Sequence, residues 1–302
     1  MRLKNIAIAM LTLYIGYLLM GDTFGHYTGI FTIILELFGF AFAIGFANIQ
    51  NDILDYETDK LNRPERPLVS GAISMKAAGR AWKVLAALTI LCGVGISVTQ
   101  HIRYTPGHIS FDSAFAYGIH FAIPTILFTL LALLLIAYNR FLKRIPLLKN
   151  MTVAFLCTTP LLFALADMLL FSTRACPDEY LWKVVPAIPF AFLLTTAREI
   201  YKDLEDETGD LKAGIMTFPL IAGAATARRF AGALILFTWI LLPLPTMLQF
   251  YPTAFLVASA VTLTPSFAYI LIQACRKNYR KSQSFVKVAM FVGLMALLFT
   301  AY

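Results

Sequence analysis

The sequence predicts an all-α, polytopic membrane protein: a bundle of about nine transmembrane helices with a cavity opening near the cytoplasmic face. Three observations carry that prediction. Apolar residues fill 59% of the 302 positions and charged residues only 14%, with a mean hydropathy of +0.73, too apolar for a soluble domain. Nine stretches approach the ~20 apolar residues that a helix needs to cross a bilayer. Lys and Arg collect in alternate joining segments, as membrane orientation requires. No linker, low-complexity tract or internal repeat divides the chain, so residues 1–302 read as one membrane domain.

The spans fall at about 5–20, 29–50, 77–99, 113–137, 151–171, 181–200, 230–249, 252–274 and 285–302. The first runs from Ile6 to Met20 without a small-x-small cleavage site and reads as a membrane helix, not a signal peptide. Gly21, Pro106-Gly107 and Pro252 mark boundaries. Gly39, Gly45, Gly93 and Gly95 read as points of close helix contact. Glu36, inside the second span, is either a functional buried carboxylate or an outer-interface residue. His120, in the fourth, reads as a packed or cavity-facing histidine.

With the N-terminus inside, the inner segments hold 22 of the 25 Lys and Arg, Arg2 among them. The outer segments hold Arg103, Arg174 and Lys183, and Tyr302 ends outside. The net charge of +8 therefore reflects orientation in a cytoplasmic membrane, not nucleic-acid binding. Cys92, Cys157, Cys176 and Cys275 show no metal spacing and read as unpaired thiols.

Eleven of the 17 acidic residues fall in two inner clusters, Asp52 to Glu65 and Glu199 to Asp210. Asn51, Asp55 and Asp59 are spaced four and four, which stacks them on one helical face, with Asp52 on the same broad side. Asp203, Asp206 and Asp210 fall at i, i+3 and i+7, again one face, and Arg198 and Lys202 lie in the same run. Carboxylates crowded this way repel, and a cation relieves the repulsion. Oxygen ligands at this density suit a hard divalent ion, Mg²⁺ before Ca²⁺. The plain alternative is a pair of solvated helix ends laced with ion pairs.

Asn51-Asp52-Ile53-Leu54-Asp55-Tyr56-Glu57-Thr58-Asp59 resembles the first signature of the UbiA superfamily of intramembrane prenyltransferases, N-D-x-x-D-x-x-x-D. Asn62-Arg63-Pro64-Glu65-Arg66-Pro67-Leu68 is similar to its N-R-P-x-R-P-L continuation. Asp206 and Asp210 match the D-x-x-x-D of the second signature. Tyr138 to Arg144 resembles a Tyr-and-Lys-Arg segment of the family. Asn150 stands where the family usually has Gly-Asn, but Lys149 replaces the glycine. Arg2 and Asn5 are similar to an opening R-x-x-N.

The resemblance implies Mg-dependent transfer of a prenyl group from a prenyl diphosphate to a lipophilic acceptor. It implies two Mg²⁺ ions bridging the diphosphate, held among Asn51, Asp55, Asp59, Asp203, Asp206 and Asp210. It makes Asn51, Asp55, Asp59, Asp206 and Asp210 the catalytic set. Asp52, Arg66, Tyr138, Lys143, Arg198, Lys202 and Asp203 become the substrate-binding set. Cations neutralise the leaving diphosphate, and an apolar interior shields the allylic cation from water. The Arg198-to-Asp210 run looks most like the branch that alkylates the hydroxyl of geranylgeranylglyceryl phosphate to an ether. Prenyltransferases of aromatic quinone precursors share much of the pattern and remain an alternative. A cation-coupled transporter is the alternative outside the class, although its carboxylates more often sit at mid-depth. A CDP-alcohol phosphotransferase would need D-G-x-x-A-R, and a soluble chain elongator D-D-x-x-D; neither is present.

Overall fold

Backbone polar groups in a bilayer core can only satisfy one another, so the apolar stretches fold as helices. The computed structural model describes residues 3–22, 28–104, 111–171, 183–212 and 214–300. Arg2, Pro106-Gly107, Arg174, Cys176 and Tyr302 lie outside the described residues, as does the side chain of His120.

The helices are α1 (Leu3–Leu19), α2 (Ile30–Leu54), α3 (Tyr56–Asn62), α4 (Met75–Tyr104), α5 (Phe111–Arg140), α6 (Leu148–Phe171), α7 (Ala187–Lys212), α8 (Phe218–Ala222), α9 (Ala224–Leu241), α10 (Leu244–Met247), α11 (Thr253–Cys275) and α12 (Tyr279–Ala296). No strand occurs among the described residues. Among the described residues nine of these helices have 17 to 30 residues, and each overlaps one of the nine expected spans. Among the described residues, seven candidate spans are long and apolar enough to cross a membrane. Those seven include neither α1, which is short, nor α7, whose second half is charged. The largest boundary difference is in α7, which runs on to Lys212 because the acidic cluster prolongs the helix instead of ending it.

The chain groups into two compact units. Unit 1 comprises Met1–Tyr14, Asp22–Phe141 and Ala166–Ala175; unit 2 comprises Ile15–Gly21, Leu142–Leu165 and Cys176–Tyr302.

In unit 1, α2 packs on α4 and α5, and α4 packs on α5. The four expected close-contact glycines all lie here. A Cβ on Gly93 would stand 2.9 Å from the Pro124 carbonyl oxygen, and one on Gly39 would meet the Phe128 ring. Gly45 and Gly95 face Leu85 and Leu35 at 3.3 and 3.1 Å. Small residues let helices approach where no hydrophobic force between them is available from lipid. Beside this contact the Ser97 and Thr125 hydroxyls share a hydrogen bond of 2.8 Å. Gly93→Ala is expected to destabilise the protein by about 1–3 kcal/mol, because backbone must shift to admit the methyl group. Gly79→Ala, in α4 with nothing within 4 Å of its Cβ, should not destabilise the protein, because Ala is the better helix former. Thermal unfolding of both variants in detergent checks this; equal midpoints would refute the packing account.

Glu36 is buried within α2, at 3% exposure. Cys92, Cys157 and Cys275 are free thiols.

In unit 2, α7 packs on α9 and α12, while α11 packs on α12 and α9. The Trp239 indole donates to the Thr264 hydroxyl at 3.2 Å across the α9–α11 contact. Val257 and Val261 on α11 are 61% and 68% exposed, as a lipid-facing stripe would be.

Candidate active site: two carboxylate stripes

The first stripe is not a single helix. α2 stops at Leu54 and α3 restarts at Tyr56, with Asp55 between them at φ −93° and ψ 8°. The face nevertheless continues through the break. The Asp55 N–H donates to the Asn51 carbonyl at 2.9 Å, Asp59 to Asp55 at 2.8 Å, and Arg63 to Asp59 at 2.8 Å. This one ladder of i, i+4 bonds keeps Asn51, Asp55 and Asp59 in line, as their spacing predicts.

Arg66 folds back onto the stripe. Its guanidinium donates to Asp52 Oδ1 at 3.0 Å and also to Asp59 Oδ2. Asp59 is buried and Asp52 is 40% exposed at its side chain, so Arg66 compensates one interior carboxylate and one open one. The loop makes this reach possible. Arg66 N–H bonds to Arg63 O at 3.1 Å, Ser70 N–H to Arg66 O at 2.8 Å, and Ile73 N–H to Pro67 O at 3.0 Å. The N-R-P-x-R-P-L run thus forms a hydrogen-bonded hook that returns one cation to the acids.

Asn139 is a residue whose part the sequence did not disclose. Buried on α5, it donates from Nδ2 to the Ala47 carbonyl at 2.9 Å and to Gln50 Oε1 at 3.0 Å. It fixes the end of α2 from which the stripe projects. The only signal for it is an amide and a glutamine standing at the ends of apolar runs. Its neighbour Tyr138 is half-buried on α5.

The second stripe lies on one continuous helix, α7, as expected. Its members differ in setting: Asp203 is buried, Asp210 half-buried and Asp206 exposed. Asp203 is held at both oxygens. Lys149 Nζ is 2.8 Å from Oδ1, and Asn150 Nδ2 donates to Oδ2 at 2.9 Å. Lys149 therefore neutralises the interior carboxylate, and Asn150 beside it completes the shell. Burial pushes the Asp203 carboxyl up, while the charge of Lys149 and the bonds from Lys149 and Asn150 pull against it. Burial likewise raises Asp210, opposed by Lys149 and Lys202 and reinforced by the charges of Asp203 and Asp206. The charge of Lys202 is thus near enough to oppose the rise at Asp210. Arg198 instead ion-pairs with its neighbour Glu199. Lys143 sits half-buried in a single 3₁₀ turn, Leu142–Arg144, beside the exposed Arg144.

Among the described residues, no group of three or more His, Cys, Asp or Glu side chains is gathered so as to hold a metal by itself. The donors still fit Mg²⁺ in kind: hard carboxylate and amide oxygens in line, with Asp203 and Asp206 raising the Asp210 carboxyl by repulsion that a cation would relieve. Mg²⁺ commonly binds through one or two carboxylates plus substrate phosphates, and this donor set suits that mode.

The family model described as "UbiA prenyltransferase family" matches residues 9–295. The chain is 31% identical to a digeranylgeranylglyceryl phosphate synthase of Methanobrevibacter smithii over 87% of this chain and 85% of that one. The solved structure of a digeranylgeranylglyceryl phosphate synthase is similar at TM-score 0.72 and 26% identity, over 99% of this chain and 95% of that one. A UbiA homologue of Archaeoglobus fulgidus bound to DMAPP and Mg²⁺ shares the fold at TM-score 0.56 and 18% identity, over 98% and 97% of the two chains.

Proposed function

Because the chain belongs to the UbiA prenyltransferase family, we propose that it transfers a geranylgeranyl group from its diphosphate to the hydroxyl of geranylgeranylglyceryl phosphate, making an ether lipid. The observation that carries the acceptor is the likeness to the synthase of Methanobrevibacter smithii over most of both chains. Family membership sets the transporter reading aside, and residues 1–302 act as one catalytic domain in this reading.

Asn51, Asp55, Asp59, Asp206 and Asp210 would hold Mg²⁺, a reading in keeping with the DMAPP and Mg²⁺ bound by the Archaeoglobus fulgidus homologue. Bound there, the ions would neutralise the diphosphate as its C–O bond breaks. Each stripe also needs its own cations. Arg66 offsets Asp52 and Asp59, and Lys149 offsets Asp203. Lys202 and Lys143 supply further positive charge for the leaving group. Because both of its oxygens are taken by Lys149 and Asn150, Asp203 serves as an anchor in this reading. Apolar helix faces take the isoprenoid tail and keep water from the allylic cation.

A glycerol phosphate acceptor brings a second anion. Arg140 and Arg144 are exposed at the end of α5 and in the turn after it, whereas Lys149 is occupied by Asp203. Arg144→Gln is therefore expected to raise KM for the acceptor several-fold with KM for the prenyl diphosphate nearly unchanged, the pattern of lost ground-state binding of one substrate. Two-substrate kinetics in nanodiscs, comparing geranylgeranylglyceryl phosphate with 4-hydroxybenzoate, tests acceptor and residue together. Turnover of the aromatic acid alone would overturn the ether-lipid acceptor.

Both stripes face the cytoplasm in this reading, supported by the 22 Lys and Arg on that side. A cysteine placed at Glu65, which is exposed, should resist an impermeant thiol reagent in intact cells and react once they are opened. Labelling in intact cells would reverse the orientation.

A further inference from the structure

The end of unit 2 that carries the second stripe also bears a charge pattern that prenyl transfer does not use. After Asp210 the chain has eight Lys and Arg and no Asp or Glu, which equals the formal net charge of +8 of the whole protein. Six of the eight stand at helix ends. Arg228 and Arg229 lie early in α9; Arg276, Lys277, Arg280 and Lys281 flank the turn from α11 into α12. None of the six forms an ion pair among the described residues.

The turn displaying four of these cations is closed by backbone hydrogen bonds. Arg276 N–H donates to the Ile272 carbonyl at 3.0 Å, Lys277 N–H to Ala274 at 3.0 Å and Asn278 N–H to Gln273 at 2.9 Å. Lys277 takes the left-handed φ of 58° that such a helix ending requires. Asn278 then caps α12 by accepting from the Lys281 N–H at 3.3 Å. The helix N-termini of α9 and α12 add partial positive charge, and neither first turn holds an acid. Fixed cations placed beside positive helix ends repel one another until an anion neutralises them.

A second observation points to the same place. Tyr201 on α7 is wholly buried, and its hydroxyl has no hydrogen-bond partner. It lies within electrostatic reach of Arg228, Cys275 and Tyr279, and 3.8 Å from where a Cβ on Gly232 would stand. A buried phenol without an acceptor is a cost that a phosphate oxygen would remove. Tyr201 and Asp203 are two residues apart on α7, about 200° around the helix, so this junction lies on the side away from the carboxylate stripe.

We propose that this end of unit 2 is a docking surface for the headgroups of anionic phospholipids. Clustered Lys and Arg at the membrane boundary of a helical bundle attract anionic lipid. The surface is separate from prenyl transfer and is tested by binding, so its failure would leave the proposed activity untouched.

The full-length protein in neutral detergent is titrated with phosphatidylglycerol or phosphatidylcholine, and bound lipid is counted by native mass spectrometry. Phosphatidylglycerol should bind preferentially, with retention falling as salt rises. The combined Arg276→Gln, Lys277→Gln and Arg280→Gln variant should lose at least ~10-fold in phosphatidylglycerol affinity, with phosphatidylcholine unchanged. A variant with Lys76→Gln, Arg80→Gln and Lys83→Gln, in unit 1, should keep wild-type binding. Tyr201→Phe, which keeps the ring packing, should weaken retention about threefold and serves if the triple variant does not fold. Equal retention of the two lipids, or equal loss in the two triple variants, would overturn the proposal. So would a raised KM for geranylgeranylglyceryl phosphate in lipid-free detergent for the first variant, since the surface would then belong to the acceptor.

Discussion

Asp55→Asn and Asp206→Asn are each expected to lower turnover at least ~100-fold while leaving the protein folded. That is the scale of removing one strong electrostatic stabiliser from a transition state. The two carboxylates suit the test because each can lose its charge at little structural cost. Asp206 is exposed, and Asp55 is half-buried at the break between α2 and α3. Neither appears in an ion pair with Arg66 or Lys149, so neutralising either leaves those two pairings intact. Asp59→Asn is a poorer test, since it would release Arg66 from a buried partner and confuse folding with chemistry. The measurements are steady-state turnover against Mg²⁺ concentration and thermal unfolding of the same preparations. Full activity in either variant, or turnover that ignores Mg²⁺, would remove that stripe from the mechanism.

These stripes were visible in the sequence because their chemistry is periodic. Four-and-four and three-and-four spacings set side chains on one face whatever surrounds them, and α7 realises this directly. The close glycine contacts were visible for a similar reason, since a small residue in a long apolar run has few other uses. The break at Asp55 was not visible: Ile53-Leu54-Asp55-Tyr56 holds neither Pro nor Gly, so no local breaker announces it. In the sequence Arg66 reads as a cation for substrate, and only the hooked loop shows it returning to Asp52 and Asp59, fourteen and seven residues back. Asn139 reaches the α2 carbonyl of Ala47 across 92 positions. Contacts of that separation depend on which helices pack together, and composition carries no record of it.

Lys149 shows the same limit and yields the second large expectation. From sequence it was one basic residue in a crowded loop, a departure from the family's glycine. In the structure it is the counter-charge of a carboxylate 54 positions away, with 7% side-chain exposure for Asp203 and 18% for Lys149. Lys149→Met keeps the length of the side chain and removes the charge. It is expected to destabilise the protein by about 3 kcal/mol, the lower end for breaking a buried pair, since Lys149 keeps some contact with solvent. The pH dependence follows from the sign of the Asp203 shift. Burial already raises this carboxyl above its unfolded value, and Lys149 opposes that rise. Without the lysine the carboxyl rises further, so the folded state binds a proton more readily than the unfolded chain. The loss should therefore be full above the raised Asp203 value and should shrink as pH falls through it. Asp203→Asn in the Lys149→Met background removes the uncompensated charge and should restore most of the stability, whereas Asp203→Asn alone leaves the lysine without its partner. Thermal unfolding of the wild type, both single variants and the double variant between about pH 4 and pH 8 completes the cycle. Additive losses in the double variant, or a Lys149→Met deficit that deepens on acidification, would show that the pair does not stabilise this end of α7.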